Sequence, residues 1–163
     1  MAQTVELFEE DYQLINQTLS RLLTESNARI VLLVDRSGQL ISSHGDTSNM
    51  DSTAFASLSA GNFAATSALA KILGQDEFSV LFHQGEKESI HISVVQSRVI
   101  LVIVFDNRTS LGLVRLRVKK ALEELSSVFE NIFSKLGAVS GQRTLDSSFA
   151  SVAESEIDNL FRD

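Results

Sequence analysis

The histidines are the residues of this chain best suited to acid–base or metal chemistry, because it has no cysteine. The three of them, His44, His83 and His91, fall in or beside predicted strands, and no HxH or HExxH spacing links them. A metal site would need them to converge with carboxylates, since no thiolate is available. We interpret the histidines as surface or strand residues and expect neither a metal nor a cofactor.

Motifs for phosphate binding and nucleophilic catalysis are missing as well. The sequence contains no GxxxxGK[ST], no GxGxxG and no GxSxG. These patterns build the glycine-rich loops that hold phosphates and the sharp turn that exposes a catalytic serine. We therefore expect a protein that is not itself an enzyme.

The net charge of the chain limits the classes of partner that it can bind. Its 163 residues include 14 Lys and Arg and 21 Asp and Glu, so the net charge is −7. We therefore expect neither nonspecific nucleic-acid binding nor a polybasic membrane anchor, because both need positive charge. The acidic start lacks the pattern of a signal peptide. The uncharged stretch 52–70 is near the length of a membrane span, but hydroxyl side chains interrupt it. We predict a soluble cytosolic protein.

The elements that must position any site follow from hydrophobic periodicity. The pattern predicts helix, two strands, helix, three strands and helix, over residues 7–25, 29–35, 39–43, 52–73, 78–83, 89–95, 98–105 and 110–136. The strands 29–35 and 98–105 are apolar on both faces and need cover on both faces. We expect an α/β fold in which a five-stranded antiparallel sheet lies between helices, with those strands central and 78–83 at an edge.

The domain organisation follows from the same pattern. Residues 1–136 are predicted to form one domain, and residues 137–163 a linker and a C-terminal amphipathic tail helix. The tail is acidic, and its apolar side chains could lie in a partner's groove. Equally, the tail could pack back on its own domain. The candidate docking residues are Phe149, Ile157, Leu160 and Phe161.

The second helix has two faces that carry almost no charge. One carries large apolar residues and is predicted to cover the sheet: Phe55, Leu58, Ala65, Leu69, Ile72 and Leu73. The other carries small residues, with Lys71 as its single charge: Ser57, Ala60, Gly61, Ala64, Ser67 and Ala68. Because small side chains let another backbone approach closely, we interpret this second face as an intermolecular surface. The alternatives are cover by another part of the chain, and plain exposure to water.

Basic residues cluster at the start of the third helix: Arg108, Arg115, Arg117, Lys119 and Lys120. The favoured interpretation is a solvated face on which Lys119 and Lys120 pair with Glu123 and Glu124 at i,i+4 spacing. A contact with an acidic partner, or an arginine supplied to a nucleotide on another protein, is the functional alternative.

Four stretches together carry a family resemblance. They are LVDRSGQLISS at 33–43, ASLSAGN at 56–62, VFDNRTSLGLVR at 104–115 and EIDNLF at 156–161. With the order of elements, they resemble the bacterial MglB-type members of the Roadblock / dynein light-chain domain family. The resemblance covers nearly the whole chain, and the stretch 104–115 is its most specific part.

The resemblance implies a function that composition cannot show. Proteins of this type form homodimers and activate MglA, a small Ras-like GTPase, in a complex of two chains with one GTPase. They insert no arginine finger and instead reshape the GTPase. The pair sets cell polarity for gliding motility, which implies a cytoplasmic location, at a cell pole.

The resemblance also implies site residues. The GTPase-binding positions would be Gly61, Ala64 and Ala68, with Ser57, Ala60 and Lys71 beside them, and no residue would be catalytic. The tail residues Phe149, Ile157, Leu160 and Phe161 would dock on the GTPase away from the main contact. A second hypothesis, from a different class, is a scaffold or adaptor dimer for polarity proteins that does not activate the GTPase.

Overall fold

Helices and strands follow one another along the chain in the predicted order. The structure is a computed structural model that describes the backbone of residues 2–141 and the side chains of residues 8–137. Its elements are α1 (Ala2–Ser26), β1 (Ile30–Asp35), β2 (Leu40–Gly45), α2 (Ser52–Ile72), β3 (Val80–Gln84), β4 (Glu88–Val95), β5 (Val99–Asp106) and α3 (Leu111–Gly141). The helix predicted in the tail lies outside the described residues.

The strands form one antiparallel sheet in the order β2-β1-β5-β4-β3. The two strands that are apolar on both faces, β1 and β5, pair with each other in the centre, as predicted. Strand β3 pairs with β4 alone and so forms an edge, and β2 forms the other edge. A five-stranded antiparallel sheet between helices confirms the predicted α/β fold class.

Helices cover both faces of the sheet, but unequally. Helices α1 and α3 pack on one face around the side chains Val31, Leu33, Leu101 and Ile103. Helix α2 alone packs on the other face, above Ile30, Leu32, Val34 and their neighbours on β5. Since neighbouring residues of a strand point to opposite faces, each central strand contributes to both cores.

The prediction of which side of α2 covers the sheet was wrong. The side chains of Leu58, Leu69 and Ile72 are 74%, 58% and 80% exposed, and Leu73 is exposed too. Phe63 and small residues are buried against the sheet instead: Ala56, Ser59, Ala60, Ser67 and Ala70. Small residues let the helix backbone approach the sheet closely, and Phe63 fills the remaining space. Large apolar residues on a helix therefore did not mark its core face here.

Helix α3 is longer than predicted. It continues through the exposed Gly137 to Gly141. A solvent-facing glycine costs a helix only about 1 kcal/mol relative to alanine, which does not stop a helix this long. The division into a domain at 1–136 and a tail stays a prediction.

A buried carboxylate connects α1 to α3. Asp11 is 2% exposed, and its two oxygens accept hydrogen bonds from Asn131 Nδ2 at 3.1 Å and from Lys135 Nζ at 2.9 Å. A carboxylate removed from water is stable only when it is paired in this way. The contact therefore adds a polar link to the apolar packing of α1 against α3.

We expect Asp11→Ala to lower the free energy of unfolding by about 1–3 kcal/mol, because it leaves two donors without their acceptor. Urea unfolding at one protein concentration measures the change. Glu10→Ala is the matched control, since it removes the same charge from an exposed neighbouring position of α1. Equal effects of the two variants would contradict a structural role for Asp11.

His91 is a buried titratable side chain on β4. It is 2% exposed, and its Nδ1 lies 3.3 Å from Ser93 Oγ. Burial lowers the pKa of His91, and the positive charge of Arg115 on α3 lowers it further. The folded protein therefore holds this imidazole in its neutral form.

This burial predicts a loss of stability in acid. A histidine in the unfolded chain takes up a proton as the pH falls through about 6.5, whereas folding opposes protonation of His91. The unfolded state then binds more protons, so the free energy of unfolding decreases as the pH falls below about 6.5. We expect His91→Phe to lose less stability than the wild type between pH 7 and pH 5. Parallel pH profiles for the two proteins would refute the prediction.

Candidate functional site

Helix α2 presents the candidate site, and its ends are well defined. The Asp51 carboxylate accepts a hydrogen bond from the backbone N–H of Ala54 at 3.1 Å, which caps the first turn. Gly74 follows the helix with φ of 76°, a conformation that glycine adopts without strain. Aspartate before a helix and glycine after it are common end signals, so both residues are typical of their positions.

The outer face of α2 is apolar and exposed. We use this name for Leu58, Gly61, Ala64, Ala65, Ala68, Leu69 and Ile72, all of which face away from the sheet. A Cβ placed on Gly61 would have no atom within 4 Å, so the helix backbone is open to a partner there. Lys71 at the margin is the only charge on the helix. Exposed apolar surface of this kind is typical of protein interfaces.

The outer face contains most, but not all, of the predicted binding positions. Gly61, Ala64 and Ala68 lie on it, and Ser57 and Lys71 are exposed at its margins. Ala60 is 5% exposed and belongs to the core under α2, so its side chain cannot contact a partner in this structure. That these residues bind a GTPase stays a prediction.

Sequence reasoning missed the large residues of the outer face. Leu58, Leu69 and Ile72 had been assigned to the sheet because size and hydrophobicity usually mark a core. The signal that could have found them is the uncharged stretch 52–70, since a helix without charge on any side has more apolar surface than one sheet can cover. The small residues and the large residues therefore share the exposed surface.

Arg36, in the turn after β1, fixes the position of α2. Its guanidinium lies 5.4 Å from the centre of the Phe63 ring. Its Nη1 donates to the Ser97 carbonyl at 2.7 Å, and its Nη2 lies 3.3 Å from Glu77 Oε1. One side chain thus connects α2 to the β4–β5 turn and to the segment that leads into β3.

Gly38 brings the same hairpin turn against α2. A Cβ at this position would lie 3.1 Å from the Cα of Ser57, and the φ of Gly38 is 96°. A larger residue would therefore push the turn away from the helix and strain the backbone.

The outer face lies next to the free edge of the sheet. Asn62 Nδ2 on α2 donates to His83 Nε2 on β3 at 2.7 Å. Within residues 2–141, strand β3 has no neighbour beyond it, and its Val80 is 43% exposed. An unpaired edge exposes backbone donors and acceptors that can pair with another strand. The two features offer a partner one continuous surface.

The basic residues lie on the opposite layer, with α3. Arg108 forms an ion pair with Asp106 at 3.0 Å, and Arg117 approaches Glu25 of α1 at 3.8 Å. Hydrogen bonds from Arg108 hold the pKa of Asp106 below its usual value. The predicted pairing of Lys120 with Glu124 does not form, because Glu124 pairs with Arg21 at 3.1 Å. The structure therefore does not bring these residues to the outer face of α2.

The histidines do not converge. His44 and His83 lie at opposite edges of the sheet, and His91 lies under α3. Within residues 8–137, no group of three or more metal-ligating side chains could hold a metal ion.

None of the helices within residues 2–141 combines the length and the apolar character that a membrane span requires.

Comparison with known proteins agrees with this geometry. The Roadblock/LC7 domain matches residues 14–105. The structure of MglB from Myxococcus xanthus is 55% identical, covers 74% of this chain and 91% of its own, and superposes with a TM-score of 0.73. The gliding protein MglB from Thermus thermophilus is 35% identical, with coverages of 74% and 92% and a TM-score of 0.70.

A third structure, described as MglB with a tetrameric arrangement, is 34% identical, with coverages of 75% and 92% and a TM-score of 0.71. No curated protein matches the chain. The family match spans more than half of the chain, and these relatives share its fold over nearly their whole length. The chain therefore belongs to the Roadblock/LC7 domain family, within its MglB branch.

Proposed function

We propose that this chain is a GTPase-activating partner of a small Ras-like GTPase of the MglA type, and that it acts in cell polarity and gliding motility. The observation that carries the proposal is the uncharged, apolar outer face of α2, on a chain 55% identical to Myxococcus xanthus MglB. The GTPase would bind this face through Gly61, Ala64 and Ala68, with Leu58, Leu69 and Ile72 supplying apolar area.

The active form is a homodimer. The free edge of β3 can pair with its copy across a two-fold axis, which extends the sheet and satisfies the unpaired backbone groups. Because Asn62 ties α2 to this edge, the same pairing brings two copies of α2 side by side. One GTPase bound across both helices gives the 2:1 complex. The tetrameric arrangement of a 34% identical relative supports self-association.

Activation proceeds without an arginine finger. Arg108 and Arg117 are held in ion pairs within the chain, and all the basic residues of this cluster lie on the layer opposite α2. The dimer instead binds the hydrolysis-competent conformation of the GTPase more tightly than the other conformations. Such differential binding raises the population of that conformation, in which the GTPase's own residues act on the nucleotide.

We also propose a role for the C-terminal tail and a location for the complex. The tail residues Phe149, Ile157, Leu160 and Phe161 would form a second contact with the GTPase, in line with their amphipathic spacing. The complex would assemble at a cell pole. The alternative function is a dimer that tethers polarity proteins without affecting hydrolysis, and the exposed α2 surface suits that role as well.

We expect Ala68→Arg to weaken binding of the cognate GTPase at least tenfold, about 1.4 kcal/mol, because it places a charge in an apolar contact. Ser127→Arg is the matched control, since it adds the same side chain at an exposed position of α3. Isothermal titration measures the affinity, and light scattering verifies that both variants remain dimers. Unchanged affinity for Ala68→Arg would move the site away from α2.

We expect the protein to raise GTP turnover by its cognate GTPase about tenfold or more, and Arg108→Ala, Arg115→Ala and Arg117→Ala each to keep that rise, since a finger is worth about 10³–10⁵ in rate. Phosphate release at a molar excess of the dimer measures turnover. Loss of the rise with one arginine variant would establish a finger. Binding of the GTPase without any rise in its GTP turnover would favour the scaffold function.

A further inference from the structure

The start of α3 carries a basic surface without acidic partners. We use this name for Arg115, Leu116, Lys119 and Lys120. Five of the chain's 14 basic residues lie between positions 108 and 120, and no acidic residue lies among them. Two of the five are paired, Arg108 with Asp106 and Arg117 with Glu25. Within the described side chains, Arg115, Lys119 and Lys120 form no ion pair.

An apolar side chain lies among these charges. Leu116 is 60% exposed on the solvent side of α3, and Lys119 and Lys120 follow it by one turn. An acidic segment with apolar side chains could pair with the three cations and cover the leucine at once. Such a combination is more specific than a charged patch alone. On a protein with a net charge of −7 this surface is exceptional.

The chain itself contains a segment of matching chemistry. Residues 142–163 include five acidic and two basic residues, and the acidic ones alternate with apolar ones over 152–161. Glu154, Glu156 and Asp158 are opposite in charge to the basic surface. Ile157, Leu160 and Phe161 are the apolar side chains available to cover Leu116.

The C-terminal segment is long enough to reach the basic surface. Lys119 lies 22 residues before Gly141 on α3, which corresponds to about 33 Å along the helix axis. The 13 residues from Gln142 to Glu154 span up to about 43 Å when extended. Because the segment is tethered, its effective concentration at the surface is of millimolar order, so even a weak contact is populated.

We propose that the acidic tail, residues 145–163, docks on the basic surface of its own chain when no GTPase is bound. The tail then lies on the layer opposite the outer face of α2, which stays free for a partner. Docking by itself does not depend on the proposed function. If the tail also contacts the GTPase, as proposed above, the two contacts compete, and the basic surface reduces the tail's availability.

The test uses the full chain without any GTPase. Because the protein has no native cysteine, Ser155→Cys places one nitroxide label in the tail. We expect it to remove most of the NMR signal intensity of the backbone amides of 112–123, and added salt to restore that intensity. Lys119→Glu should abolish the broadening. Lys87→Glu, an equal charge reversal in the exposed β3–β4 turn, should leave it intact.

Mixing isotope-labelled chains that lack nitroxide with unlabelled nitroxide-bearing chains identifies whose tail is bound. In this mixture, broadening at 112–123 can come only from the tail of another chain. Such broadening would overturn docking in the same chain. Absence of broadening at 112–123, or the same broadening after Lys119→Glu, would overturn the contact. A Lys119-dependent sedimentation with phosphatidylglycerol vesicles, in the absence of tail broadening, would reassign the surface to a membrane. The GTP-turnover assay tests the proposed function separately, because the labelling experiments contain no GTPase.

Discussion

The burial of β1 and β5 on both faces is the constraint on which the rest of the structure depends. Every side chain from Ile30 to Val34 is at most 2% exposed, and those of β5 from Ile100 to Ile103 are fully buried. Strands of this kind are stable only when helices cover both sides of the sheet. Two helices, α1 and α3, meet this demand on one side, and α2 meets it alone on the other.

The single helix on the second side has to lie close to the sheet, and this explains its composition. Alanine and serine on its inner side permit close contact, while Phe63 and the Arg36 guanidinium above its ring set its lateral position. The large side chains that would normally form a core are left on the outside. Among the described residues these side chains stay exposed, so the close packing of α2 on the sheet and the apolar surface on its outside have the same physical origin.

The two layers differ in their chemistry. Helix α2 carries a single charge, Lys71, and lies beside a free strand edge, which suits association through shape and apolar area. The α1–α3 layer has charges that are partly paired inside the chain, as with Asp11 and Lys135, and partly open at the basic surface. The two layers lie on opposite sides of the sheet, so their exposed surfaces do not overlap.

The sequence by itself determined the order of elements, the central position of β1 and β5, and the edge position of β3. These follow from runs of apolar residues whose burial is obligatory, and from local signals such as the Asp51 cap and Gly74. It also determined the family, since the matched stretches are long and specific. The side of α2 that meets the sheet was decided by the tertiary structure alone, because two uncharged helix faces compete and only the fit of Ala60 and Phe63 against the strands settles the choice. The partners of the basic residues were likewise decided in three dimensions, where Glu124 meets Arg21 of another helix rather than its own neighbour Lys120.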